Sequence, residues 1–266
     1  MKYKILALDL DGTLTNSQKI ITPRTKAALM EAQRQGLRLA LASGRPTEGI
    51  LPLAEELEMA RWGGFILSFN GAQVLELGSG KILYQKVLDL DRVPTIYRLA
   101  QKYQVGVLTY KDGAVLTETP DDPYIELECR VNRMPFQAVP SFTEAVTEPV
   151  PKCLMTGEGS HMAEIEGPIR EALPGLSVYR SEAFFIEIMP EHIDKAYSLE
   201  QLLKSQNLTR EELAACGDGF NDISMIRYAG FGVAMANAVP AAKEAADFVT
   251  ASNDEDGVAL AVEKFF

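Results

Sequence analysis

Apolar residues gather in short runs along this chain of 266 residues, at positions 5–8 (ILAL), 37–42 (LRLALA), 65–69 (FILSF), 213–216 (LAAC) and 231–234 (FGVA). Each run is about as long as a strand buried on both faces, and each closes on a polar or glycine-rich turn. Between them lie segments with helix signals. Thr22-Pro23 opens one, with Thr22 as cap and Pro23 in the first turn, and Gly36 closes it. A second helix is predicted over residues 47–59. After residues 65–69, Asn70-Gly71 turns the chain into a strand through Leu77, with a return over 82–87. Strand, helix, strand, helix, strand with an appended hairpin describes a parallel α/β sheet.

From about Leu88 the texture changes. A helix over 93–103, strands over 105–110 and 114–118 around Asp112-Gly113, and a proline-punctuated stretch from Pro120 to Pro151 indicate an α+β unit. Strand 152–155, helix 161–172, Pro174-Gly175, and strands 176–179 and 184–189 complete it, and Pro190 marks the exit. The α/β rhythm then resumes: helix 195–205, a capping box at Thr209 and Glu212, strand 213–216, helix 221–228 with Gly230 as its C-terminal cap, strand 231–234, helix 240–246 and a last helix to Phe266. The expected fold is α/β, a Rossmann-like parallel-sheet core made discontinuously of residues 1–84 and 190–266. An α+β domain, residues 85–189, is inserted into it.

Composition narrows the function. Hydrophobic residues make up 47% of the chain, enough for a sizeable core, and the net charge of -11 disfavours nucleic acid or an anionic membrane as partner. The three cysteines, Cys129, Cys153 and Cys216, are odd in number and lack CxxC spacing, so neither a disulfide framework nor a zinc site is expected. His161 and His192 are the two histidines, too few for a histidine metal centre or a Ser-His-Asp triad. No apolar run reaches the roughly 18 residues of a membrane span, and Asp9 interrupts any signal-peptide layout, so a cytoplasmic protein is expected.

The chemistry gathers where strands end. Asp9 and Asp11 follow the first run, two residues apart in an extended chain, so both can reach one face while Leu10 turns into packing. Two carboxylates so close repel unless a cation or a shared proton intervenes, and hard oxygen ligands favour Mg2+. The plainer alternative is a strand closed by an Asp-Gly turn. A second acidic group, Asp218 and Asp222 within the run GDGFND, follows the strand at 213–216. There one aspartate can meet a metal while the other supports the site, and Asn221 can donate to an anion. Open α/β sheets bind ligands along this C-terminal edge. Ser43 and the Gly44 amide lie at the end of another strand and offer donors of the type a phosphoryl oxygen needs. Lys195 is the candidate cation, with Arg45 as the alternative.

Taken in order, Asp9-Leu10-Asp11-Gly12-Thr13, Ser43-Gly44-Arg45, Lys195 and Gly217-Asp218-Gly219-x-Asn221-Asp222 resemble the four motifs of the haloacid dehalogenase superfamily, in its Cof-type, sugar-phosphatase-like branch. The resemblance spans residues 5–237 and implies that the inserted unit is a large α/β cap. It departs from the family pattern at residue 196, where alanine replaces the glycine common after the lysine, and this puts the local backbone path in question. The resemblance further implies that Asp9 is nucleophile and Mg2+ ligand. Asp11 would give its main-chain carbonyl to the metal and its carboxyl group to acid/base work. Asp218 would complete the metal ligands, and Asp222 would orient Asp218 or Lys195. The Leu10 amide, Ser43, Gly44, Lys195 and Asn221 would hold phosphoryl oxygens. The expected activity is Mg2+-dependent hydrolysis of a small phosphorylated metabolite through an aspartyl phosphate. A phosphomutase is one alternative and a non-enzymatic phosphoacceptor module another. Tyr110, Lys111, Arg130, Asn132, Arg133, His161 and Arg180 are candidate substrate contacts in the inserted unit, among which the sequence does not choose. Oligomeric state is likewise open.

Overall fold

The run Ile5–Leu8 becomes strand β1, every residue of it buried, because two parallel neighbours enclose it. The computed structural model describes residues 2–266. Helix α1 (Pro23–Arg34) follows, capped by Thr22, whose side chain accepts from the Thr25 amide. Then come β2 (Arg38–Ala42), α2 (Thr47–Glu56), β3 (Phe65–Ser68), β4 (Gln73–Glu76) and β5 (Lys81–Gln85). The intervening segment, Lys86–Ile193, forms a compact unit of its own; the chain before it and the chain from Asp194 onward form the other.

In the intervening unit α3 (Val93–Tyr103), β6 (Gly106–Lys111) and β7 (Ala114–Thr117) lie as the pattern predicts. The proline-punctuated stretch holds α4 (Pro123–Asn132), β8 (Phe136–Ala138) and α5 (Phe142–Ala145). Pro123 occupies the first turn of α4 and Asp122 caps it, accepting from the Tyr124 amide at 2.8 Å. A proline there starts a helix as readily as it ends one. Next come β9 (Cys153–Thr156), α6 (Gly159–Ala172), β10 (Leu176–Glu182) and β11 (Phe185–Pro190). Among the described residues the sheet order is β10-β11-β9-β6-β7-β8, antiparallel except for β7 with β8. Ile96 and Ala100 of α3 and Ile165 and Ile169 of α6 belong to the same apolar core as Val107, Met155, Ile186 and Ile188 of the sheet.

The remaining elements are α7 (Lys195–Ser205), β12 (Leu213–Gly217), α8 (Ile223–Tyr228), β13 (Phe231–Ala234), α9 (Pro240–Ala245), β14 (Phe248–Val249) and α10 (Gly257–Phe265). With the first five strands they build a sheet in the order β14-β13-β12-β1-β2-β3-β4-β5. The strands are parallel from β14 to β3, and β4 and β5 form the antiparallel hairpin at one edge. One face buries Leu6, Leu8, Leu39 and Leu41 with Leu29 of α1 and Ile50 of α2. The other carries small residues, Ala7, Ala40, Ala42 and Ala215, packed with Leu199, Leu202 and Leu203 of α7. Small side chains let that helix approach the sheet closely, which matters for the residue at its start.

Two local expectations are corrected. The segment 221–228 enters helix through a 3-10 turn, Phe220–Asp222, and is α-helical from Ile223. Gly230 does not cap α8. Ala229 ends it in an extended conformation, and Gly230 is needed for close packing, since a Cβ there would stand 2.6 Å from the Arg210 carbonyl oxygen. Cys129, Cys153 and Cys216 are buried free thiols. Among the described residues no helix is long and apolar enough to cross a membrane.

Candidate active site

The register of the parallel strands places the site. Leu8 is level with Cys216 of β12 on one side and with Leu41 of β2 on the other, so the three chains leave the sheet side by side. Asp9, Ser43 and Asp218 therefore emerge along one edge, each on the loop after its strand. Asp9 is held in line by its own amide, which donates to the Cys216 carbonyl at 3.0 Å. Leu10 is fully buried, as the alternation requires.

Lys195 joins this edge from α7. Asp194 caps that helix, its Oδ1 accepting from the Ala196 and Tyr197 amides at 2.8 and 3.1 Å, so alanine at residue 196 continues the helix without strain. The Lys195 ammonium has no exposed surface. It donates to Asp9 Oδ1 at 2.7 Å, Asp222 Oδ1 at 2.6 Å and the Ala42 carbonyl at 2.8 Å, which uses all three of its hydrogens. Burial alone would lower its pKa; the two carboxylates outweigh that and raise it, so Lys195 stays charged.

The acids divide into three environments. Asp9, Asp218 and Asp222 each offer an oxygen to one cluster, with these atoms all within 4.8 Å of one another. Burial pushes Asp9 up first; Lys195 opposes it and the Asp222 and Asp218 charges add to it, leaving the Asp9 pKa at about 7. Asp222 is spent within the protein. Its Oδ1 takes Lys195, and its Oδ2 takes the Asp218 and Gly219 amides at 3.0 and 2.8 Å. Asp218 Oδ1 accepts from Thr13 at 2.7 Å. Its Oδ2 lies against Gly12, where φ is +91° and a Cβ would come within 2.4 Å. Burial raises the Asp218 pKa, with the Thr13 bond working against it.

Asp11 lies outside that cluster. The sequence permits Asp9 and Asp11 to share a pocket, but Arg45 and Lys19 take the Asp11 oxygens. Arg45 Nε donates to Oδ2 at 2.9 Å and Nη2 to Oδ1 at 2.6 Å, a fork geometry, and Lys19 Nζ reaches Oδ1 at 2.8 Å. Burial would raise the Asp11 pKa, yet these bonds and charges more than offset it and hold it below the usual carboxylate range. Arg45, the alternative cation, thus serves Asp11, and Lys195 serves Asp9. Lys19 carried no motif signal. Ser43 is buried and its Oγ accepts from the Arg45 amide at 3.2 Å. Among the described residues neither the Leu10 nor the Gly44 amide has a protein acceptor. Asn221 is exposed and its amide donates to Asn70 Oδ1 at 3.1 Å, a partner on the Asn70-Gly71 turn whose sequence signals a turn and nothing more.

Several candidate contacts of the intervening unit are engaged within it. Tyr110 donates to Glu128 at 2.6 Å and Asn132 to the same oxygen at 2.7 Å. Lys111 donates to Thr147 at 3.1 Å, and Arg180 pairs with Glu166 at 3.0 Å. His161 Nε2 lies 2.8 Å from the Tyr103 carbonyl oxygen. Arg130 and Arg133 are exposed.

A buried carboxylate facing a buried lysine, with further acids along the C-terminal edge of a parallel sheet, is the arrangement of a phosphoryl-transfer site. The haloacid dehalogenase-like hydrolase family matches residues 6–262, and the chain belongs to that family. It is similar to a crystal structure of a haloacid dehalogenase-like hydrolase from Bacteroides thetaiotaomicron, 47% identical, with a TM-score of 0.96 and all of both chains covered. It is also similar to phosphatase YwpJ of Bacillus subtilis, 30% identical over 96% of this chain and 97% of that one. A third likeness is to the solved structure of a HAD subclass IIB sugar phosphatase, 26% identical, with a TM-score of 0.80 and 98% of each chain covered. The chain is thus a HAD-type phosphatase of the Cof-type, sugar-phosphatase-like branch.

Proposed function

We propose that this phosphatase hydrolyses a small phosphorylated metabolite, a sugar phosphate or a compound like it, with Mg2+ and through an aspartyl phosphate on Asp9. The observation that carries the proposal is the Asp9 carboxylate, one oxygen fixed by Lys195 and the group set beside Asp218. The substrate class is supported by the likeness to the subclass IIB sugar phosphatase.

The donors fit Mg2+. All are hard oxygens, and the bonds that occupy Asp222 leave Asp9 and Asp218 as the side-chain ligands, with the Asp11 main-chain carbonyl as the family pattern implies. The ion when bound supplies positive charge that offsets the repulsion between these acids and a phosphate.

The side chains do the rest. Lys195 fixes the Asp9 carboxylate and presents positive charge to the phosphoryl group, beside the donors of Ser43, Asn221 and the Leu10 and Gly44 amides. The free Asp9 oxygen attacks phosphorus as the P–O ester bond breaks, and the leaving alkoxide takes a proton from Asp11. Water then attacks the aspartyl phosphate, giving its proton to Asp11; the P–O bond to Asp9 breaks and inorganic phosphate is released. In its acid role Asp11 must let go of Arg45 or Lys19, since a carboxylate held by both carries no proton. Selection of the metabolite is assigned to the segment Lys86–Ile193, the part of the chain that the family resemblance implies is a cap domain.

Phosphate release measured over a panel of phosphorylated metabolites, with and without chelator, tests the substrate class and the metal. Asp9→Asn should abolish turnover and form no phosphoenzyme. With an aryl phosphate, whose leaving group scarcely needs a proton, Asp11→Asn should accumulate an adduct heavier by about 80 Da, the mass of HPO3. Full turnover in chelator, or an adduct on Asp9→Asn, would refute the assignment.

A further inference from the structure

Where β3 ends, the chain takes a conformation that ordinary turns avoid. Phe69, Asn70 and Gly71 follow one another with φ of 53°, 58° and 97°. A left-handed phenylalanine is strained, and such strain persists only where the surroundings over-determine it. Here they do. The Phe69 amide donates to the Arg45 carbonyl at 2.9 Å and the Asn70 amide to the Ser43 carbonyl at 2.8 Å, which ties the turn to the loop after β2. The Phe69 side chain is buried. Behind the turn, a Cβ on Gly71 would stand 2.3 Å from Ser198 Oγ and 3.0 Å from the Asp194 carbonyl oxygen, so the turn is pressed against the start of the helix that carries Lys195.

This bracing delivers one side chain to the site. The Asn70 amide group lies over Gly44, whose added Cβ would be 3.2 Å from Asn70 Oδ1 and 3.3 Å from its Nδ2. Its Oδ1 accepts from Asn221 Nδ2 at 3.1 Å. Asn221 is exposed, and among the described residues this is the hydrogen bond its side chain makes; without it the amide would turn freely. A carboxamide nitrogen has two hydrogens, so a bond to Asn70 aims the group while leaving one hydrogen for a ligand.

We infer that Asn70 is a positioning residue for phosphate binding: it aims the Asn221 amide at the phosphoryl oxygens, and the left-handed turn of residues 69–71 exists to hold it there. The inference rests on the assignment of Asn221 to the phosphate, and goes beyond it in bringing a fifth chain segment into the site. Fixing an exposed amide in advance removes rotamer freedom that binding would otherwise have to remove.

The test uses the full chain, with Asn70→Gly, Asn221→Ala and the double variant, an aryl phosphate as substrate and inorganic phosphate as competitive inhibitor. Glycine adopts positive φ freely, so Asn70→Gly should keep the turn and the melting temperature while losing the amide. Losing one net hydrogen bond should raise KM, and the inhibition constant of phosphate equally, by about 3- to 10-fold with kcat within about twofold. In the Asn221→Ala background the same change should have no further effect. Asn70→Gly at wild-type KM, while Asn221→Ala weakens phosphate binding, would overturn the inference alone. A full Asn70→Gly effect persisting without Asn221 would show direct contact with substrate and overturn the positioning role. Phosphate binding indifferent to Asn221→Ala would instead overturn the phosphate assignment on which the inference rests. A melting temperature lowered by many degrees, with kcat falling as much as KM rises, would mark a structural residue and also overturn it.

Discussion

Replacing Lys195 by methionine removes the cation that, among the described residues, is bonded to both Asp9 and Asp222, while roughly preserving volume. The Nζ atom lies 2.7 and 2.6 Å from their oxygens, and the three side chains are 0%, 9% and 1% exposed, so water cannot take over its work. Breaking a buried ion pair by deleting one partner costs about 3–5 kcal/mol, and two carboxylates share the loss here. The cost must also depend on pH. Burial raises the Asp9 pKa to about 7 even with Lys195 present, above the ordinary aspartate value of 3.8, so the native state holds more protons than the unfolded state between those values and stability falls as pH rises through that window. Deleting Lys195 removes the charge that opposes burial, so the Asp9 pKa rises further in the variant. Above about pH 7 the variant then binds a proton that the wild type has released. Its deficit should grow by about 1.4 kcal/mol per pH unit until its own Asp9 ionises. Urea unfolding of both proteins in chelator at pH 6 and pH 8 measures this, with m-values as a check that the denatured states match. Turnover should fall by about 10²- to 10³-fold, the scale of losing one charge-stabilising donor. A stability loss below about 1 kcal/mol, or an equal loss at both pH values, would refute the charge arrangement assigned to these three residues.

Other perturbations separate the remaining groups. Because Asp9 carries a proton below about pH 7 in the metal-free protein, Mg2+ binding should weaken about tenfold per unit below that value and level off above it; calorimetry in buffers of different ionisation enthalpy should find about one proton released near pH 6. Arg45→Met removes both bonds of the fork on Asp11, so the Asp11 pKa should rise, and the acid limb of phosphoenzyme hydrolysis should move to higher pH in single-turnover measurements between pH 4 and 7. Gly12→Ala places a Cβ 2.4 Å from Asp218 Oδ2 at a φ of +91°; it should cost about 1–3 kcal/mol in thermal unfolding and weaken Mg2+ binding in a direct titration.

What the sequence made legible follows from how locally each feature is encoded. The strand at 5–8, its partner at 213–216 and the capping by Thr22 depend on a few adjacent residues, so run length and turn chemistry were sufficient to place them. Helix α4 was less visible because Pro123 reads equally as an end or a beginning, and the bond from the Tyr124 amide to Asp122 decides which. Gly230 misled for the opposite reason. Its position after a helix suits a cap, but what fixes it is the backbone at Arg210 and Glu211, about twenty residues earlier in the chain.

The site shows the same division. Asp9, Lys195 and Asp222 could be nominated one by one, and the resemblance offered Asp222 either Asp218 or Lys195 to orient; the folded chain gives it Lys195 on one oxygen and the Asp218 and Gly219 amides on the other, which removes it from the free carboxylates. Lys19 and Asn70 could not be nominated at all, since a solitary lysine and an Asn-Gly turn are common in any soluble chain. Their significance lies in what they touch: Lys19 shares Asp11 with Arg45, and Asn70 meets Asn221 across 151 residues of chain. A residue that reacts is chosen for its functional group and leaves a trace in composition and spacing. One that aims another is chosen for position, and position in a parallel sheet is set by strand register, which no short stretch of sequence contains.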